Sequence, residues 1–435
     1  MKKMKFTLKS FDVPSVKGEE SLVQRVWDVP VELEEFRDLH KIVKAIGVTD
    51  QFKDVLKTFP TPEGETPAGF ERTLILDSDG VLRVDLERNI AFDKNGVKRP
   101  TNVLFSADSA NPYEVAPISN LIANLTCNPG IIYDLFINNP EANVGNVYKT
   151  RDEVMIELAK ILGPGCDVSV ELNNPFEKDY GKILEEANKF KEIFSKYRVV
   201  IKVPHTGAVT ADNVNQLLAG DKKLDTRFDN VSTEGAFLGH NLALRLHEDG
   251  FRINFTLMFE PYQTQLALQS RPYFINTFLR HRLKQSEAIE QFLTVYEEFD
   301  DKKSLEGLRN YFVENDYLTK ADSDMDLTEV YSFGRDIIKY RRFKDEEGCD
   351  GLDQMRHNLR LLKNCTIPDT RLIVCSMEGP DNYPDIDKLL TEPEFIDMNK
   401  RVVITAEPNY LARFTSTNQV VSYQRRFMNA AEGEA

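Results

Sequence analysis

The stretch Val199-Val200-Ile201-Lys202-Val203-Pro204 decides how this chain is read. Its branched apolar residues mark a buried strand, and Lys202 is the exception within it. An ammonium group is costly to desolvate and is rarely fully buried unless it is paired or neutralised. A lysine whose pKa falls towards neutrality carries a free amine, and such an amine attacks carbonyl carbon to form a Schiff base. The plainer alternative is a strand-end lysine that lays its stem along apolar surface and holds its charge in water. The neighbouring segments favour the first reading.

Asp167 to Leu172 alternates, with Asp167, Ser169 and Glu171 set against Val168, Val170 and Leu172. Arg252 to Phe259 does the same, with Arg252, Asn254, Thr256 and Met258 on one face. Leu121–Asn128 puts Asn124, Thr126 and Asn128 together, and Val103–Asp108 pairs Ser106 with Asp108. Alternate strand residues face opposite sides, so each segment has one apolar and one polar face. Helical patterns separate these strands: Ile131–Asn138 and Arg151–Leu162, then Tyr180–Lys196, His240–Glu248 and Glu260–Gln269. Repeated strand–helix units imply a parallel sheet with helices on its apolar face. If the sheet closes, the polar face becomes the interior of a (β/α)8 TIM barrel. Active sites of such barrels lie at the carboxyl-terminal rim. The expectation is therefore an α/β barrel whose mouth gathers Asp108, Asn128, Glu171, Lys202, Asn254 and Thr256.

In these residues the chain resembles the transaldolase family of Schiff-base-forming barrels. Thr126-Cys127-Asn128-Pro129-Gly130-Ile131-Ile132 is similar to the family's Thr-Thr-Asn-Pro-Ser-Leu-Ile segment, and Val168-Ser169-Val170-Glu171 to its glutamate-bearing third strand. Val200-Ile201-Lys202-Val203-Pro204 resembles its lysine strand, and Asn254-Phe255-Thr256-Leu257-Met258-Phe259 its Asn-x-Thr-Leu-x-Phe strand. The resemblance implies that Lys202 forms the Schiff base with a ketose carbonyl. It implies that Asp108 takes the donor's hydroxyl proton as the carbon–carbon bond breaks. Glu171 and Thr256 would hold the water that shuttles protons, and Asn128 and Asn254 would bind the dihydroxyacetone unit. No cofactor is implied, because the iminium is the electron sink.

Each role has a plainer reading beside it. Asp108 is a turn former before Ser109-Ala110-Asn111-Pro112, Asn128-Pro129 is a turn, and Glu171 is an ion-pair partner for Lys202. The family's aldolase branch tends to carry glutamine at the Glu171 position, so the glutamate leans towards transfer of dihydroxyacetone from a ketose to an aldose. Lyase activity of the fructose-6-phosphate aldolase kind is the first alternative. An inactive sugar-binding or regulatory barrel is the second.

The second half departs from the family. Its sixth strand carries Ser-Pro-Phe-x-x-Arg, whose serine and arginine hold the substrate phosphate. Here the matching stretch is Ile275-Asn276-Thr277-Phe278-Leu279-Arg280-His281-Arg282. Asn276 and Phe278 are then candidate substrate contacts, with Arg280, Arg282 or Arg271 left to carry an anion. The seventh strand's Ala-Ser-Phe-Arg is replaced by Cys375-Ser376-Met377-Glu378. A carboxylate beside a phosphate repels it. The eighth strand is read at Arg401–Pro408.

The chain has 435 residues, and a barrel of this type takes ~250. Residues 1–100 are expected to form an α+β extension packed on the barrel. Within them Val31–Ile46 and Asp50–Phe59 read as helices, and Arg72–Leu86 as a hairpin turning at Asp79-Gly80. Residues 101–435 form the barrel, with insertions near 207–237 and 300–368, the first a lid or a surface elaboration. From Asn409 onward a helix is expected to fold across the mouth, ending in the tail Ala430–Ala435.

A net charge of −15 argues against nucleic acid or an anionic membrane surface as partner. Met1-Lys2-Lys3-Met4-Lys5 is not followed by a signal peptide's apolar stretch, and no run is long enough to span a bilayer, so a cytoplasmic location is expected. The cysteines at 127, 166, 349, 365 and 375 lack the spacing of a disulfide framework or zinc site. His240 and His247 lie two helical turns apart, too far to chelate one ion. His205 is placed to tune Lys202 or touch substrate. Small-molecule sugars or sugar phosphates are the expected partners, and a homodimer is left open.

Overall fold

The computed structural model describes residues 6–93, 95–342, 347 and 351–433. The first five residues, Cys349 and the last two residues of the tail lie outside these.

Two short strands, β1 (Phe6–Thr7) and β2 (Pro30–Val31), pair antiparallel. They precede a three-stranded sheet of β3 (Ala45–Val48), β4 (Phe70–Leu76) and β5 (Val81–Arg88) in the order β3-β5-β4. β4 and β5 form the expected hairpin. Val31–Ile46 is not a single helix. The helix covers only Leu33–Leu39, and Ala45-Ile46-Gly47-Val48 runs parallel to Val81–Val84. Ile46 and Val48 are fully buried there, and this long-range pairing overrides local helix propensity. The next helix, Asp50–Thr58, starts at Thr49, whose hydroxyl accepts the Phe52 N–H at 3.0 Å.

Eight parallel strands then close into a (β/α)8 TIM barrel. They are β6 (Leu104–Asp108), β7 (Asn124–Cys127), β8 (Asp167–Glu171), β9 (Val199–Pro204), β10 (Arg252–Thr256), β11 (Phe274–Phe278), β12 (Arg371–Cys375) and β13 (Val402–Ala406). The outward residues Val168, Val170, Ile201, Val203, Ile253 and Phe255 join the core shared with the outer helices. Inside, Leu104, Val200, Phe274, Ile373 and Val403 fill the lumen. A polar layer crosses it: Asn124 donates to Ser106 Oγ at 2.9 Å and accepts from Ser169 Oγ at 3.1 Å. The interior is a packed core, which leaves only the rim open to chemistry.

The amino-terminal extension seals the opposite end. Arg88 donates to Asp167, at the start of β8, with Nε 2.9 Å from Oδ1, and Arg371, at the start of β12, donates to Asn89 at 3.1 Å. The second insertion packs Leu305, Leu308, Phe312 and Val330 against Leu293 of the helix Leu279–Phe299 that leads into it, in a core separate from the barrel's. The helix Leu352–Asn364 instead buries Met355, Leu359 and Leu362 in the barrel's core. The two insertions touch. Lys223 pairs with Asp316 at 2.8 Å, Lys320 with Asp221 at 2.6 Å, and the Arg227 guanidinium lies 5.2 Å from the centre of the Phe333 ring.

The chain's last helix, Asn418–Glu432, does not lie across the mouth. Such a helix would bury one face, and every residue of this one is exposed. No helix among the described residues is long and apolar enough to cross a membrane.

Candidate active site

The strand register brings the rim residues together. β9 pairs with β8 and β10 so that Lys202 lies beside both Glu171 and Asn254. The residue is only 5% exposed. Its Nζ sits 3.2 Å from Glu171 Oε2 and donates to the Cys127 carbonyl at 3.3 Å. Burial pulls the Lys202 pKa down, but the charges of Glu171 and Asp108 outweigh it and hold it above the ordinary lysine value. This corrects the expectation of a lysine near neutrality. The resting group is an ammonium, and Glu171 is close enough to take its proton. The field that favours the ammonium also favours a cationic iminium on the same nitrogen.

Asp108 ends β6 on the interior face. Burial, with the charges of Glu407 and Glu171, pushes its carboxyl up to about 6, while Lys202 and Arg280 pull the other way. A carboxyl titrating there both gives and takes protons near neutral pH. Thr256 and Asn254 are buried on the same face of β10. Asn254 accepts from Asn276 Nδ2, and its own Nδ2 has no hydrogen-bond partner among the described residues. A buried amide donor in that state is costly unless something accepts from it. Asn128 caps the helix Pro129–Ile132, with Oδ1 accepting the Ile131 N–H at 2.9 Å. The turn reading of Asn128 is therefore correct for its carbonyl, and its amide remains for a ligand.

At the sixth strand, Asn276 and Phe278 face the interior. Arg280 and Arg282 part company because successive helix residues are 100° apart, so two positions put them nearly back to back. Arg280 stays at the rim, where its charge reaches Asp108 and its Nε is 3.9 Å from Glu378. Glu378 is also held by Lys284 at 2.7 Å. Arg282 is fully buried away from the mouth. It binds Glu260 and Asp353 and donates to the Arg341 carbonyl at 2.6 Å. Its guanidinium is committed to the fold, so Arg282 is withdrawn as a substrate ligand. Arg271 precedes β11 and belongs to the barrel's other end.

His205 is corrected too. It follows β9 on the outer face, with its ring 5.0 Å from that of His240 and 4.6 Å from Phe255. Burial, with His240, lowers its pKa to about 3, so it is a neutral packing group. Cys127 is buried in the outer core, and burial pushes its thiol up to about 12, far from a reactive thiolate.

Two rim groups were missed. Glu407, just past β13, acts on Asp108, and period two from Val403 through Thr405 already placed it on the interior face. Ser376, just past β12, has φ +58° and a buried Oγ with no hydrogen-bond partner among the described residues. Leu257, just past β10, has φ +56°. Left-handed backbone at such residues costs ~1–2 kcal/mol each, and Leu257 holds the exit of the strand that carries Asn254 and Thr256.

Another constraint fixes the lysine strand. At Gly239, in the helix Leu238–Glu248, a Cβ would lie 2.1 Å from the Pro204 carbonyl oxygen. Only glycine lets this helix touch the end of β9.

The Transaldolase/Fructose-6-phosphate aldolase family model matches residues 105–321, and the chain belongs to this family. The match covers β6 to β11 and stops short of β12 and β13. No curated protein matches the chain.

Proposed function

We propose that the protein transfers a dihydroxyacetone unit from a ketose to an aldose through a Schiff base on Lys202. One observation carries this: a buried lysine in contact with Glu171, in the field of a second carboxyl that titrates at about 6. Glu171 takes the ammonium proton, and the amine adds to the C2 carbonyl of the donor. Loss of water, held by Glu171 and Thr256, leaves the iminium. Asp108 accepts the C4 hydroxyl proton as the C3–C4 bond breaks, and the electron pair moves into the iminium to give an enamine. The aldehyde leaves, and Asn128 and Asn254 hold the three-carbon unit. An acceptor aldehyde then takes the enamine carbon and recovers the proton from Asp108, and water frees the new ketose. No cofactor takes part in these steps, and the partners are small sugars.

Borohydride trapping tests the covalent step. The expected product is one reduced dihydroxyacetone unit on Lys202, absent in Lys202→Met. Failure to trap any donor would replace this reading with a non-catalytic sugar-binding barrel. Leaving out the acceptor separates transferase from lyase: a transferase stops after one turnover, whereas continued aldehyde release would mark a lyase.

A further inference from the structure

Beside the mouth lies a cavity of about 880 Å³, large enough for a ligand of two sugar rings or more. Its walls come from segments that follow β9, β10 and β11, so it opens on the same rim as Lys202. Both insertions build it: Phe228 from the first, and Tyr317, Phe333 and Tyr340 from the second. Phe259 joins it to the mouth, since its ring lies 4.7 Å from that of Phe278, which faces the barrel interior.

The lining discriminates by charge. Of its carboxylates, Glu260 is paired with Arg282 and Arg341, and Asp316 with Lys223, which leaves Asp336. Its guanidinium, Arg341, is already taken up by Glu260, Gln285 and Tyr317. Burial lowers the pKa of the lining His281, so it adds no charge at neutral pH. Asp336 has no ion pair among the described residues. An anion entering here meets the Asp336 carboxylate and no uncommitted cation among the lining residues, in a partly desolvated space. The remaining surface combines aromatic faces with hydrogen-bonding groups, among them the Tyr262 and Tyr340 hydroxyls and the amides of Gln285 and Asn315. Aromatic faces pack against the C–H faces of a sugar ring, and the amides and carboxylates meet its hydroxyls.

We propose that this cavity binds an uncharged sugar ring carried by the substrate at the end remote from its reacting carbonyl, so that the donor is a glycosylated ketose and not a ketose phosphate. The inference rests on the Lys202 reading for its chemistry. It accounts together for the insertions and for Glu378, which at the rim engages Lys284 and Arg280, the cations a phosphate would need.

The test compares 6-O-α-glucosylfructose, fructose and fructose 6-phosphate as donors to one fixed acceptor aldehyde. Dihydroxyacetone serves as a Lys202 probe too small to need the cavity. Phe228→Ala and Tyr340→Ala are suited to it, because these side chains are 45% and 66% exposed and their loss leaves the core intact. The glucosylated donor should show kcat/KM at least ~10-fold above the other two, and each variant should raise its KM ~10-fold. Dihydroxyacetone trapping should be unchanged in both variants. Equal or better use of fructose 6-phosphate, no turnover of the glucosylated donor, or equal losses for every donor would each overturn the assignment. Absence of any dihydroxyacetone adduct would instead sink the Schiff-base reading. Calorimetric titration with 6-O-α-glucosylfructose then decides the cavity by itself. Saturable heat lost in Tyr340→Ala keeps it as a sugar site, and no heat in the wild type discards it.

Discussion

Asp108→Asn should stabilise the protein while abolishing its turnover. The carboxyl is raised from 3.8 to about 6, and each pH unit is worth about 1.4 kcal/mol. Its ionised form therefore costs the fold about 3 kcal/mol. Below pH 3.8 both folded and unfolded chains hold the proton, and nothing is lost. Between pH 3.8 and 6 the unfolded chain releases it first, so stability falls as pH rises. Above about pH 6 the whole penalty is present. Asparagine is permanently neutral and avoids the loss. Urea unfolding at pH 3.5 and 7.5 reads the difference: the variant should match wild type at the lower pH and exceed it by about 2–3 kcal/mol at the higher. Turnover should fall by ~100-fold or more, the usual contribution of a positioned acid–base group. A variant no more stable than wild type at pH 7.5, with an unchanged urea slope, would refute the reasoning, because the carboxylate would then not be strained.

Glu171→Gln removes the largest charge raising the Lys202 pKa, so the alkaline limb of the trapping rate should move to lower pH, and an unmoved limb would remove Glu171 from that role. Arg282→Met leaves the fully buried Asp353 without its cation, and Glu260 with Arg341 alone, and should cost about 3–5 kcal/mol in urea unfolding. In Arg280→Ala, by contrast, stability should be nearly unchanged, and the pH profile of turnover should shift upward as Asp108 loses a cation that lowers its pKa. Arg88→Ala breaks the buried pair with Asp167 and should loosen the extension from the barrel, seen as faster limited proteolysis ahead of residue 100.

Much of this molecule could be read along the chain, and the reasons differ from residue to residue. Alternation in Asp167–Glu171 and Arg252–Thr256 reports sidedness directly, so the barrel and its inward acids and amides were visible without partners. Lys202 could be placed but not titrated. Its pKa depends on Glu171 and Asp108, which come from other strands, and burial alone gave the wrong sign. Arg280 and Arg282 were indistinguishable until the helix start fixed their phase. β3 reads as helix along the chain because its partner strand, β5, lies far from it in sequence. That the two insertions meet, and enclose a cavity together, is a property of neither segment alone.

Gly239 sets a limit on how this protein can change. With helix backbone pressed against the end of β9, no repacking of side chains can shift the lysine by a fraction of an ångström. Adjusting it means moving a whole helix, and most such changes end in loss of folding. The cavity walls are free of that restraint, because they stand beyond the strands, Phe228 in a turn after β9 and Phe333 and Tyr340 on the helix Leu327–Arg341. Variation should therefore accumulate in Phe228, Phe333 and Tyr340 while the chemistry stands still. One reactive centre can in this way be offered a succession of substrates.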